Sequence, residues 1–178
     1  MSARSWAALV SARLRSDFEN QHLRAAVRSL ASAGAASIWV RSHDSELARC
    51  ALGADAEQVR LFALPTRRAA IERARLINHA ARLAEEELLW IHDPCFVMPF
   101  AEVAAAIAVS DELAIQPFDS CCRLDRHASS RFRTGVASAV SAGPAASSSP
   151  RPVGFGKGSF LVDRALFLAM GGLSEAFV

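Results

Sequence analysis

LLWIHDPCFVMP, residues 88–99, decides how the rest of the chain is read. Leu88, Leu89, Trp90 and Ile91 run without a polar interruption, as in a strand covered on both faces of a sheet. The run stops at His92 and Asp93, turns through Pro94 and Cys95, and resumes toward Pro99. A buried strand that ends this way delivers a carboxylate to the carboxyl edge of its sheet. Two roles are open to Asp93: holding a ligand, or forming the turn by accepting backbone N–H groups on its own side chain. For His92 the alternatives are a ligand contact and a partly buried histidine hydrogen-bonded to backbone.

Working outward from this strand, the preceding segment from Thr66 reads as a long helix. Its apolar stripe is Ala70, Ala74, Ile77, Ala81 and Ala84, at helical spacing, with Asn78 at the border of the buried face. Before it lie three further strands, at about Ala7–Ala12, in SIWVRSHDS (37–45) and in VRLFALP (59–65). Between the first two, Ser16 with Glu19 three residues on makes a capping-box pattern, Leu23, Val27 and Leu30 share one helix face, and Gly34 offers a stop. ELARCALGA reads as a short helix. After the opening stretch come a helix over 100–109, with Phe100, Val103, Ala104 and Ile107 inward, and another strand in ELAIQPFD (112–119). Strands that alternate with helices in this way argue for an open, mostly parallel α/β sheet flanked by helices. Residues 127–156 dissolve into Ser, Ala, Gly and Pro and read as a flexible loop or lid; a strand at 159–162, a helix at 164–170 and a Gly-Gly stop follow.

The chain of 178 residues fits one domain. It is 52% hydrophobic, yet no apolar run approaches the roughly 18 residues that span a bilayer, and the N-terminus lacks the apolar core of a signal peptide. With 20 basic residues spread among 18 acidic ones, net charge +2 and no dense basic run, nothing argues for nucleic acid as a partner. Cys50, Cys95, Cys121 and Cys122 show no CxxC spacing, so reduced thiols in a cytoplasmic protein are the simplest account. A zinc site built on His92, Asp93 and Cys95 lacks a second ligand pair.

Ligands of open α/β sheets sit outside the carboxyl ends of the strands. That edge collects Arg13 and Arg15, then Arg41 to Asp44, Pro65 to Arg68, His92 to Cys95, and Asp119. Arginines beside carboxylates suit a phosphorylated ligand, and a nucleotide is the economical expectation. The site is not an ordinary dinucleotide fold, because the first turn, SARLRSDF, contains no glycine; GFGKGS lacks the P-loop spacing and precedes a strand.

The segments ALVSARLRSDFENQHLRAAVRSL, IWVRSHDSE, RARLINHAARLAEEELLWIHDPCFVMP and GKGSFLVDRALFLAMGGLSEAF resemble, in this order, the glycosyltransferase family 2 type. Its fold is the A-type nucleotide-diphospho-sugar transferase fold (GT-A), here with a galactosyltransferase-like C-terminal motif. The resemblance implies a Rossmann-like domain over 1–178, incomplete at its C-terminus: a nucleotide-sugar-binding half in 1–125, the loop or lid of 127–156, and the start of an acceptor-side region in 157–178. It places Ala12, Arg13 and Arg15 near the nucleotide base, and Asp44 at the acidic position after the second strand. Arg75 and Asn78 would face the donor, His92 and Asp93 would meet it at the family's DxD position, and Glu175 would lie near the acceptor as the weak candidate for catalysis. The second acid of DxD is Cys95, a soft thiol where Mn or Mg wants oxygen, so metal binding by Asp93 is in question.

The implied activity is transfer of a sugar from a nucleoside diphosphate sugar, a UDP-sugar first, to a saccharide acceptor with inversion, as in polysaccharide biosynthesis. The protein would be cytoplasmic, without a transmembrane segment, or peripheral to the membrane. The alternative is an inactive or truncated module of the same fold that binds a nucleotide-sugar or a partner enzyme, since the family's downstream acidic motif would lie beyond Val178.

Overall fold

The computed structural model describes the chain except residues 1–3, 13, 15, 43, 64–68, 109–110, 119, 122–123, 134–150, 153–157 and 175–178. Arg13, Arg15 and Glu175 therefore lie outside the described residues, as do Arg67, Arg68 and Asp119.

The strands are β1 (Trp6–Ser11), β2 (Ser37–Ser42), β3 (Arg60–Ala63), β4 (Leu88–His92), β5 (Ala114–Ile115), β6 (Ser120–Cys121), β7 (Arg151–Pro152) and β8 (Ser159–Asp163). The α-helices are α1 (Asp17–Ser32), α2 (Ser45–Leu52), α3 (Ala69–Leu83), α4 (Phe100–Ala108), α5 (Arg126–Arg133) and α6 (Arg164–Ala169), with a 3-10 turn at Gly53–Gln58. Six strands form one sheet in the order β3-β2-β1-β4-β8-β5, and β6 pairs with β7 apart from it. The first four run parallel; β8 is antiparallel to both its neighbours.

Local chemistry explains the helices. Ser16 Oγ accepts the Glu19 N–H at 3.3 Å and starts α1, and the chain leaves that helix through Gly34 at φ 93, a left-handed conformation that glycine adopts without strain. Asp44 Oδ1 accepts the N–H groups of Glu46 and Leu47 and starts α2. Each strand of the centre is apolar on both faces, and each face has its own core. On one side Ala8, Val10, Leu88 and Trp90 pack against Leu23, Val27, Leu52, Phe100 and Ile107, which come from α1, α2 and α4. On the other Leu9, Leu89 and Ile91 pack against Ile77, Ala81 and Phe167, from α3 and α6.

Three expectations change. The strand anticipated over 112–119 is only Ala114–Ile115 and lies at the edge of the sheet; Gln116 and Pro117 leave the ladder, and Pro117 has no N–H to give it. It is parallel in direction to β4, but β8 inserts between them, so the sheet is mixed at this side. Part of the span read as a loop, 127–156, is ordered: Asp125 Oδ1 caps α5 by accepting the Ala128 N–H at 2.7 Å, and β7 pairs with β6. Asn78, placed at a helix border by its spacing, is 3% exposed. Among the described residues no helix is long and apolar enough to cross a membrane.

Candidate functional site

The strand order positions a crevice. From β1 the chain moves outward through β2 to β3, then α3 carries it back across β1 to β4. The helices that leave β1 and enter β4 lie on opposite faces of the sheet, α1 on one and α3 on the other. The carboxyl ends of β1 and β4 are thus the topological switch point where open α/β sheets bind ligands. Ala12 follows β1 there, 5% exposed and fastened by its N–H to Arg41 O at 2.9 Å; Asp93 follows β4.

Asp93 is half-buried. Its N–H donates to Gly158 O at 2.6 Å, and its Oδ1 accepts the Cys95 N–H at 2.9 Å. The side chain therefore forms the turn, the second of the two roles open in the sequence, at the carboxyl end of β4. Gly158, at φ 78, lets the backbone pass under Phe96, whose ring a side chain at 158 would strike. Phe96 in turn stacks on Phe118, with ring centroids 5.7 Å apart.

Cys95 is exposed on one side, but partial burial first, and then the charge and hydrogen bonding of Asp93, push its thiol up to about 11. At neutral pH it is a protonated thiol, not a thiolate. Among the described residues no three His, Cys, Asp or Glu side chains gather as a metal site. With Oδ1 of Asp93 hydrogen-bonded to backbone and a sulfur at Cys95, these residues do not form the set of oxygen donors that a hard divalent cation requires.

His92, one residue earlier, points the other way and is 0% exposed. Ser159 Oγ accepts the Trp90 Nε1–H at 2.6 Å, and Ser159 Oγ and His92 Nδ1 are hydrogen-bonded at 3.0 Å. Its ring meets Phe100 edge-on, centroids 5.2 Å apart, and Nε2 has no hydrogen-bond partner among the described residues. Burial, reinforced by the charge of Arg73, pushes His92 down to about 3. It is a neutral interior group, bonded to a serine side chain rather than to backbone, and offers no surface to a donor.

The other anticipated residues separate. Asp44 is exposed and caps α2. Arg75 is exposed on α3. Asn78 lies on the α3 side: its Nδ2–H donates to Leu173 O at 2.9 Å, and its Oδ1 accepts the Leu173 N–H at 2.8 Å. Gly172, at φ 78, lies so close to Asn78 Oδ1 that a Cβ there would overlap it. The side chain expected to face the donor is engaged with the chain that follows α6.

What the sequence reading missed is a cluster at the first turns of α1, the helix that leaves the carboxyl end of β1. Phe18 is 51% exposed, His22 Nδ1–H donates to Phe18 O at 2.9 Å, and the two rings meet edge-on with centroids 4.2 Å apart. The guanidinium of Arg133, at the end of α5, lies over the Phe18 ring at 4.5 Å. Burial lowers His22, the Phe18 hydrogen bond opposes it, Arg133 lowers it further, and Asp93 and Glu19 raise it. His22 thus senses both Arg133 and Asp93. The Phe18/His22 pair was visible as neighbours four apart on one helix; Arg133, 115 positions from Phe18 along the chain, carried no local signal.

No family model and no curated protein matches this chain. Solved structures do. The mannosyltransferase PcManGT from Pyrobaculum calidifontis, in complex with GDP-Man and Mn2+, is similar at TM-score 0.60 and 16% identity, covering 98% of this chain and 48% of that one. The 4-diphosphocytidyl-2C-methyl-D-erythritol synthase from Anaerococcus prevotii DSM 20548 is similar at TM-score 0.54 and 12% identity, covering 94% of this chain and 73% of that one. The chain thus spans about half the length of the mannosyltransferase. At these identities the likeness carries the architecture alone: a Rossmann-like, mostly parallel sheet flanked by helices.

Proposed function

We propose that the crevice between the carboxyl ends of β1 and β4 binds a nucleoside diphosphate sugar, a UDP-sugar first, and that the protein belongs to the glycosyltransferases of the family 2 type. The observation that carries this is the position of Asp93: β4 delivers a half-buried carboxylate to the switch point of the sheet. Oδ2 accepts the ribose hydroxyls of the donor. Ala12, with Arg13 and Arg15, lies toward the base, and Asp44 and Arg75 flank the nucleotide half. Asn78 enters through its clamp on Leu173, which directs the chain toward Glu175 on the acceptor side.

The reaction is a single displacement with inversion. A carboxylate, Glu175 in this reading, takes the proton of the acceptor hydroxyl as its oxygen bonds to the anomeric carbon, and the diphosphate leaves with the electron pair of the broken C–O bond. The test is calorimetric titration with UDP, UDP-sugars and GDP-mannose, with and without Mn, alongside Asp93→Ala. Loss of nucleotide binding of about tenfold or more in the variant is expected; undiminished binding would remove Asp93 from the site.

Cys95 favours a second reading, a module of this fold that holds a nucleotide-sugar without turning it over. Its protonated thiol stands where the family has its second carboxylate. Cys95→Asp separates the two: gained Mn affinity together with gained transfer supports a transferase site, and gained Mn affinity without transfer supports the binding module.

A further inference from the structure

We infer that the donor's diphosphate is held by the guanidinium of Arg133, over Phe18 at the mouth of the crevice, in the place a divalent cation takes in a site with two acidic ligands. This rests on the nucleotide-sugar reading of the crevice and specifies how the charge of that ligand is met.

Three observations converge on it. First, α5 is a docked element: Asp125 caps it, Ala128 is 7% exposed, and the helix ends at the first turn of α1. Second, Arg133 is half-buried and oriented. Its Nε donates to Ser129 O at 3.2 Å, its Cζ lies over the Phe18 ring, and its two terminal nitrogens have no hydrogen-bond or ion-pair partner among the described residues. A guanidinium held by its stem and its ring face, with its fork open, is arranged to accept a phosphate in two parallel hydrogen bonds. Third, Arg133 stands over Phe18, whose ring meets His22 edge-on, and both Arg133 and Asp93 lie within electrostatic reach of His22. Asp93 spends one carboxylate oxygen on the turn, and Cys95 offers sulfur where a hard cation takes oxygen.

The experiment compares UDP with uridine, which lacks the phosphates, on the full chain by calorimetry in EDTA and in Mn. The variants are Arg133→Met, which keeps the stem on Phe18 and loses the charge, and Arg133→Lys, which keeps charge and loses the fork; their melting temperatures report folding. Expected are UDP binding in EDTA that Mn leaves unchanged, and a roughly ten- to hundredfold weaker UDP Kd in Arg133→Met. Uridine affinity should stay the same in that variant, and Arg133→Lys should fall in between for UDP. UDP binding that requires Mn and ignores Arg133→Met overturns the inference and leaves the nucleotide-sugar site standing. Equal loss for uridine and UDP overturns it too, because Arg133 would then serve the base or the fold. No binding of any nucleotide in either condition overturns both readings.

Discussion

Two polar centres flank the sheet and treat their hydrogen-bonding capacity in opposite ways. Under α3, Asn78 spends Nδ2 and Oδ1 on the backbone of Leu173 and is 3% exposed. At the crevice, Asp93 spends Oδ1 on a turn at the half-buried end of β4, and Arg133 spends Nε on its own helix and keeps its fork. A buried group with its valences filled by backbone is holding the fold, because leaving backbone N–H and C=O groups unmade is expensive. A partly buried group with valences open at a sheet's switch point is arranged for something that arrives later.

The contrast can be broken most directly at the clamp. Gly172→Ala forces a left-handed backbone on a residue with a Cβ and drives that Cβ into Asn78, and should cost roughly 2–4 kcal/mol in urea denaturation. Asn78→Ala leaves the Leu173 N–H and C=O unmade and should cost about 2 kcal/mol, with UDP affinity retained. Lost affinity at full stability would return Asn78 to the donor site.

Acid tests the interior side of β4. His92 has its folded value lowered to about 3 and His22 is lowered as well, so below the ordinary histidine value the unfolded chain binds more protons than the folded one. Stability is therefore whole above about pH 6.5 and declines as pH falls from there toward 3, by about 1.4 kcal/mol per unit for His92. Denaturation midpoints at pH 7, 6 and 5 should fall steadily in the native chain, and less steeply in His92→Phe, where the Trp90–Ser159 bond persists. Equal slopes in both proteins would mean that His92 does not sit neutral in the core.

Asp44→Ala sharpens the comparison with the smallest effect. As a cap with two accepted N–H bonds, Asp44 should be worth about 1 kcal/mol to α2. If UDP affinity also falls, Asp44 has a second role as a nucleotide contact; if stability alone falls, it belongs with Asn78 among the supporting groups.

The parallel centre of the sheet could be read from local pattern because its cause is local. Continuous apolar runs in WAALV, SIWV and LLWI, the Ser16 cap and the stripe of α3 each state their own environment within a few residues. Asp93 was visible for the same reason: a carboxylate that stops an apolar run lies at the edge of the sheet. Which way a neighbour faces is a matter of alternation, and the period of two along a strand turns His92 inward and Asp93 out. The sequence could not announce that β8 would insert antiparallel between β4 and β5, because strand pairing is made by residues about seventy positions apart, His92 with Ser159. Ser159 makes His92 an interior partner, Leu173 makes Asn78 a clamp, and Phe18 seats Arg133. By itself the sequence determined the parallel strands, α1 with its Ser16 cap, the stripe of α3 and the carboxylate that ends β4, through interactions that span a turn or two of chain. Tertiary structure alone decided which polar groups are filled and which remain open, because that depends on distant segments closing onto the same few ångströms.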